Sequence, residues 1–223
     1  MSRSEVQVWA ARLDPEPERI AALTELLSEE ERARAGRFYL ARDSRRFVAA
    51  RGLLRLILGR RLGAAPERLE FAHGAFGKPF LKDTMLRFNV ADSADLALVA
   101  IAEEQEVGVD VELVRRRPEM HRIAERFFSA RECAEFHSAP AETQTEVFFR
   151  FWTHTEARLK ARGVGIGGGR NQASTDCAVY SIHPEAGYTG AVAMEGSGFD
   201  ITLHTFGGAD FNASCAQEPA ARA

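Results

Sequence analysis

Residues 106–113, EVGVDVEL, alternate so regularly that only an extended strand uses the pattern well. With period two, Val107, Val109, Val111 and Leu113 point to one face, and Gly108, Asp110 and Glu112 to the other. The apolar face demands a core to cover it, and the opposite face then carries two carboxylates side by side. The run LALVAIA just before it, Leu96 to Ala102, has no alternation and reads as a strand buried on both faces. Further on, the spacing predicts a long helix over about Glu142 to Ala161, on which Trp152, Glu156 and Lys160 recur every four residues and stack along one side. A chain that needs strands and a long helix together is a mixed α/β (α+β) protein.

The remaining elements fit that class. Val6 and Val8 begin an opening strand; Ser28 with Glu31, and Ser129 with Glu132, form capping-box patterns ahead of two short helices. Phe47, Leu54, Ile57, Leu58 and Leu62 recur at helical spacing over about Asp43 to Arg61. Pro66, Gly74, Gly77 and Pro79 punctuate the segment that follows. Near the end, CAVYSI, GAVAM and FDITLHTF read as antiparallel strands completing a second lobe, and the chain after about Asn212 reads as a frayed end. The glycine-rich GVGIGGGR follows a helix instead of opening one, so it lacks the logic of a phosphate-cradling loop; Gly163 reads as a helix stop.

Composition excludes several classes. At 223 residues, 45% hydrophobic and 27% charged, the chain can bury a large core as one domain or as two lobes of about 100 residues each. No apolar run approaches the length of a membrane span, and the opening MSRSEVQVWAARLD has no sustained apolar stretch, so a cytoplasmic protein is expected, with no membrane partner. The net charge of -3 argues against broad nucleic-acid binding. Arginines nevertheless crowd residues 32–61 and 115–131, which suits local anionic ligands, and Arg115, Arg116 and Arg117 are either a solvated loop or an attractor for an acidic partner. Cys133, Cys177 and Cys215 show no metal-ligand spacing and are expected as reduced thiols, Cys133 as a packed one. His154 and Glu156 alone lack the further ligands of a zinc site.

An Asp-x-Glu pair on a strand places hard oxygen ligands together, and a helical carboxylate facing them would complete a magnesium site open to water and phosphate oxygens. Each piece has a plainer reading. From spacing alone the strand acids read as the solvated face of an amphipathic strand, and Glu156 with Lys160 as a surface ion pair contributing a few tenths of a kcal/mol.

The segments LSEEERARAGRFYLARDSRRFVAARGLLR, GKPF, FNVADS, VGVDVE, RFFSARE and FWTHTEARLKARGVGI, in this order and with similar gaps, resemble the Sfp-type 4′-phosphopantetheinyl transferases over roughly residues 25 to 166. The resemblance implies two similar α/β lobes in a pseudo-twofold arrangement, an N-terminal lobe at residues 1–103 and a C-terminal lobe at 104–223 bearing the acids, with coenzyme A bound between them. It implies magnesium-dependent transfer of 4′-phosphopantetheine from coenzyme A to a serine of an acyl or peptidyl carrier protein, by a monomer. Carried over, Asp110, Glu112 and Glu156 would hold magnesium, Glu156 would also be the base, and Lys160 would assist the leaving group. Arg46 and Lys78 would meet the coenzyme's phosphates.

Two positions depart from the pattern. Where the family has F-N-[IL]-S-H-S, this chain reads Phe88, Asn89, Val90, Ala91, Asp92, Ser93, so Ala91 lacks a hydroxyl and Asp92 replaces a histidine expected near the coenzyme's 3′-phosphate. Like charges there would repel unless Asp92 turns outward or takes a proton. Thr155 stands where the family has lysine before the metal-binding glutamate, and His154, about 100° away around the helix, cannot take over its geometry. Two readings follow: a transferase with a modified donor site, or a relative turned to another task that does not transfer or that uses a different small molecule.

Overall fold

The computed structural model describes residues 4–164, 177–196 and 198–207, and within them the chain forms two compact units. One comprises Met1–Ala10 and Phe71–His204, the other Ala11–Glu70 with the chain from Thr205.

The first unit begins with all but the last two residues of β1 (Ser4–Arg12), the expected opening strand, and resumes with the hairpin β2 (Phe71–His73) and β3 (Pro79–Leu81). It continues with β4 (Leu86–Ser93), β5 (Leu96–Glu103) and β6 (Val107–Leu113). Three helices follow, α4 (Met120–Phe127), α5 (Ala130–Ser138) and α6 (Gln144–Ala161), then β7 (Cys177–Ile182), β8 (Tyr188–Glu195) and β9 (Phe199–Thr205). One sheet has the order β4-β5-β1-β9, another β6-β8-β7. The last strand therefore leaves β7 and β8 and lies beside β1. A strand cannot name its neighbour by alternation alone; here Phe199, buried with Val6 and Val8 in the same core, is what the β1 edge covers.

Both faces of β6 are covered. Val107, Val109 and Val111 join a core with Val6, Val8, Leu98 and Ala100. On the opposite face Gly108, Asp110 and Glu112 stand beside Ala193, Ala191 and Thr189 of β8. Ala191 and Ala193 pack against Ala157 and Ala161 of α6. This platform of small side chains lets α6 lie almost on the strand backbone. A methyl group on Gly108 would meet Ala157 O and Ala161 N inside contact distance and would stand 2.9 Å from Ala161 Cα. The solvated-strand reading of the two acids is thereby overturned: Asp110 is 6% exposed.

The capping boxes at Ser28 and Ser129 are both formed, each with its glutamate three residues on. Helices α4 and α5 pack through Met120, Ala124, Phe128 and Phe136 against Phe148 and Phe149 of α6. Gly163, with φ of 62°, ends α6 as expected, its N–H reaching Lys160 O. The glycine-rich stretch from residue 165, Cys215 and the tail after Asn212 lie outside the described residues.

In the second unit α1 (Pro17–Glu25) and α2 (Glu29–Ala35) pack on α3 (Ala41–Leu62), and a single 3-10 turn spans Pro66–Arg68. Gly52 gives Leu23 its place, since an added Cβ would stand 2.7 Å from Leu23 Cβ. Glu31 accepts from Arg51 Nε at 2.8 Å and from the buried Arg55 Nε at 2.7 Å, and Arg55 Nη1 spans to the carbonyls of Pro66 and Leu69. Burial would raise the Glu31 carboxyl, but hydrogen bonds from Arg55, Ser28 and Arg51 outweigh it and hold the group below its usual range.

Candidate active site

The stripe Trp152, Glu156, Lys160 faces the acidic side of β6. At one end Trp152 Nε1 donates to Glu112 Oε1 at 3.2 Å; at the other Lys160 Nζ donates to Asp110 Oδ1 at 2.7 Å. Glu156 lies between them on the same helix face, 9% exposed. Lys160 thus pairs across to β6, not along its own helix to Glu156.

The three carboxylates feel one another. Burial pushes the Asp110 carboxyl up to about 7; Lys160 pulls it down, and Glu156 and Glu112 push it further up. Burial also raises Glu156, with Lys160 opposing and Glu112 adding to the rise. Glu112 is the best-held member. Its Oε2 accepts from Ser93 Oγ at 2.8 Å and from Arg117 Nη2 at 3.1 Å, while Oε1 has Trp152.

Among the described residues, no three His, Cys, Asp or Glu side chains are gathered closely enough to hold a metal ion as they stand. The expected convergence of Asp110, Glu112 and Glu156 on one ion is therefore incomplete, and the reason is visible: Lys160 and Arg117 supply positive charge to Asp110 and Glu112 instead. The donor set nonetheless suits a hard cation. Asp110 Oδ2 is buried with no hydrogen-bond partner, an arrangement that costs roughly 1–3 kcal/mol, and Glu156 makes no side-chain hydrogen bond or ion pair among the described residues.

The other expected residues fall as follows. Lys78, just before β3, is engaged: its Nζ lies 2.7 Å from Glu106 Oε2 and 2.9 Å from the carbonyl oxygen of Val107, beside a cavity of about 220 Å³ lined also by Arg87, Phe88 and Gly163. Arg46 is half-buried on α3, in the second unit. Asp92 is exposed on β4. Thr155 is 4% exposed and bonds back to Phe151 O at 2.9 Å. His154 lies within 2.7 Å of Ser181 Oγ, and burial, with Arg158 adding, lowers its imidazole to about 4; it is neutral at pH 7 and is no substitute for a lysine charge. Arg115 and Arg116 are exposed, whereas Arg117 turns in to Glu112 and to the face of Phe149, its guanidinium carbon 5.1 Å from the ring centroid. Cys133 Sγ lies 3.2 Å from Ala124 O, in keeping with a packed thiol. Ser93, Trp152 and Arg117 carry site contacts that motif reading missed or left open. Trp152 was on the right helix face, but nothing in spacing shows what a Ser or Arg reaches.

These three acids of β6 and α6 sit within the region matched by a profile described as the 4′-phosphopantetheinyl transferase superfamily, residues 106–215. A second profile, 4′-phosphopantetheinyl transferase N-terminal, matches residues 11–105. The chain belongs to the 4′-phosphopantetheinyl transferase superfamily, a family of transferase enzymes, as the sequence resemblance implied. It is 42% identical over 166 residues to the 4′-phosphopantetheinyl transferase HetI of Nostoc sp., covering 73% of this chain and 70% of that one. It is 38% identical over 188 residues to a putative 4′-phosphopantetheinyl transferase of Synechocystis sp., covering 82% and 76%. With the 4′-phosphopantetheinyl transferase psf-1 of Bacillus pumilus the identity is 34% over 167 residues, covering 72% and 70%.

Proposed function

We propose that this chain transfers 4′-phosphopantetheine from coenzyme A to a serine hydroxyl of an acyl or peptidyl carrier protein, using magnesium held by Asp110, Glu112 and Glu156. The observation that carries the reading is the buried, unpartnered Asp110 Oδ2 beside Glu156, two carboxyls that burial and neighbouring carboxylates push upward. When bound, magnesium would neutralise charge on the donor's diphosphate. The chain's own groups divide the remaining work. Glu156, raised by burial, is a better proton acceptor than an exposed glutamate and takes the hydroxyl proton as the serine oxygen bonds to the β-phosphorus of coenzyme A. The bond from that phosphorus to the bridging oxygen breaks, releasing adenosine 3′,5′-bisphosphate. The Lys160 ammonium has three donors; one serves Asp110, and at 29% side-chain exposure the others can meet the leaving phosphate. Arg46 and Lys78 keep their proposed phosphate contacts on the strength of their motifs.

A second reading, a relative that does not transfer, is favoured by Lys78 being taken up by Glu106 and by the buried, neutral Thr155. Mass spectrometry of an apo carrier protein incubated with the chain, magnesium and coenzyme A separates the two. The first reading requires a phosphopantetheine adduct on the carrier serine. No adduct with several unrelated carriers, together with no coenzyme A binding by calorimetry, would establish the second.

A further inference from the structure

Ser93 ends β4, and its hydroxyl does two things at once. It accepts the backbone N–H of Leu113 at 3.2 Å and gives its own hydrogen to Glu112 Oε2 at 2.8 Å. Four residues earlier on the same face of β4, the buried Asn89 accepts the N–H of Val109 at 2.9 Å through Oδ1. Side chains of β4 thus provide two rungs against β6, at Val109 and Leu113, in place of a backbone ladder. Asp110 and Glu112 lie between those rungs, so the rungs fix their position along the strand.

Only the Ser93 rung also grips an acid. Glu112 is held through Oε2 from β4 and through Oε1 by Trp152 from α6, which leaves its carboxylate little freedom to rotate. Arg117 shares Oε2 from the loop after β6, and without Ser93 it would draw that oxygen toward the loop unopposed. Trp152 is itself fixed in the aromatic cluster, stacked on Phe148 and edge-on to Phe127.

We propose that Ser93 is a positioning residue, acting with Trp152, that sets the carboxylate plane of Glu112 and thereby the cation affinity of the site. This rests on the reading of Asp110, Glu112 and Glu156 as a cation site. Partners of this kind typically change metal affinity 10- to 100-fold. The test is Mn²⁺ binding followed by electron paramagnetic resonance, with and without coenzyme A, on wild type, Ser93→Ala, Ser93→Thr and Trp152→Phe. Ser93→Ala should weaken binding about 10-fold or more, and Ser93→Thr, which keeps the hydroxyl, should restore it to within about 3-fold. Trp152→Phe keeps the ring packing and loses only the N–H; it should weaken binding several-fold and carries the test if Ser93→Ala does not fold. Wild-type affinity in Ser93→Ala or Trp152→Phe, or equal loss in Ser93→Ala and Ser93→Thr, overturns the positioning role while leaving the cation site standing. A wild-type protein that binds no Mn²⁺ overturns the cation site and the inference with it.

Discussion

Replacing Gly108 by alanine asks the most of the arrangement that brings α6 onto β6. The added methyl would collide with Ala157 O and Ala161 N and stand 2.9 Å from Ala161 Cα, all three backbone atoms that no rotamer change can move. Restoring ordinary contact distances requires α6 to retreat by roughly 1 Å. Overpacking of this kind costs about 1–3 kcal/mol, and against backbone the upper figure applies. In a chain of this size about 3 kcal/mol lowers the melting temperature by roughly 6–12 °C. The same displacement carries Trp152, Glu156 and Lys160 away from Glu112 and Asp110, and a misplacement of about 1 Å at a reacting centre costs about 100-fold in rate. Thermal unfolding by circular dichroism and transfer to a carrier protein, measured on the same preparation, test both halves. A variant that melts within about 2 °C of wild type and transfers at the wild-type rate would refute the close approach of α6 to β6.

Glu31→Ala strips the buried Arg55 of its carboxylate and opens the α2 capping box; the expected cost is about 3–5 kcal/mol, a drop of roughly 10 °C in melting temperature, and an unchanged melt would contradict it. In metal-free protein, Asp110 takes up a proton in the folded state near pH 7 but in the unfolded chain near 3.8, so its contribution to stability falls as pH rises between those values and levels off above. The full change is on the order of 4 kcal/mol. His154 works the other way, losing stability as pH falls from 6.5 toward about 4, so the difference between wild type and Asp110→Asn in urea melts isolates the Asp110 contribution. Asp110→Asn should gain on wild type as pH rises from about 4 to about 7, and a pH-independent difference would show that Asp110 titrates normally.

Much of this was legible in the residues. Alternation in EVGVDVEL gives β6 and its two faces, the four-residue spacing of Trp152, Glu156 and Lys160 gives their shared side of α6, and serine–glutamate pairs give two helix starts within a residue. What was hidden depends on partners distant in the chain. Helix α1 begins at a proline between charged residues, and the stripe of α4, Met120, Ile123, Ala124 and Phe127, runs for only eight residues, too few for spacing alone to single it out. The placement of β9 beside β1 follows from packing, not from its own pattern. That Gly108 and the alanines of β8 admit α6, that Arg117 parts from Arg115 and Arg116, and that Ser93 reaches Glu112 are all consequences of side chains meeting across elements.

The claim that β6 and α6 together form a site for a hard divalent cation is tested most directly by a crystal structure of the chain grown with Mn²⁺ and coenzyme A. The account predicts an anomalous peak at bonding distance, about 2.1 Å, from Asp110 Oδ2 and from one oxygen each of Glu112 and Glu156, with Lys160 released from or sharing Asp110. Lys160 still closed on Asp110, with manganese absent from the site or bound elsewhere, would contradict it.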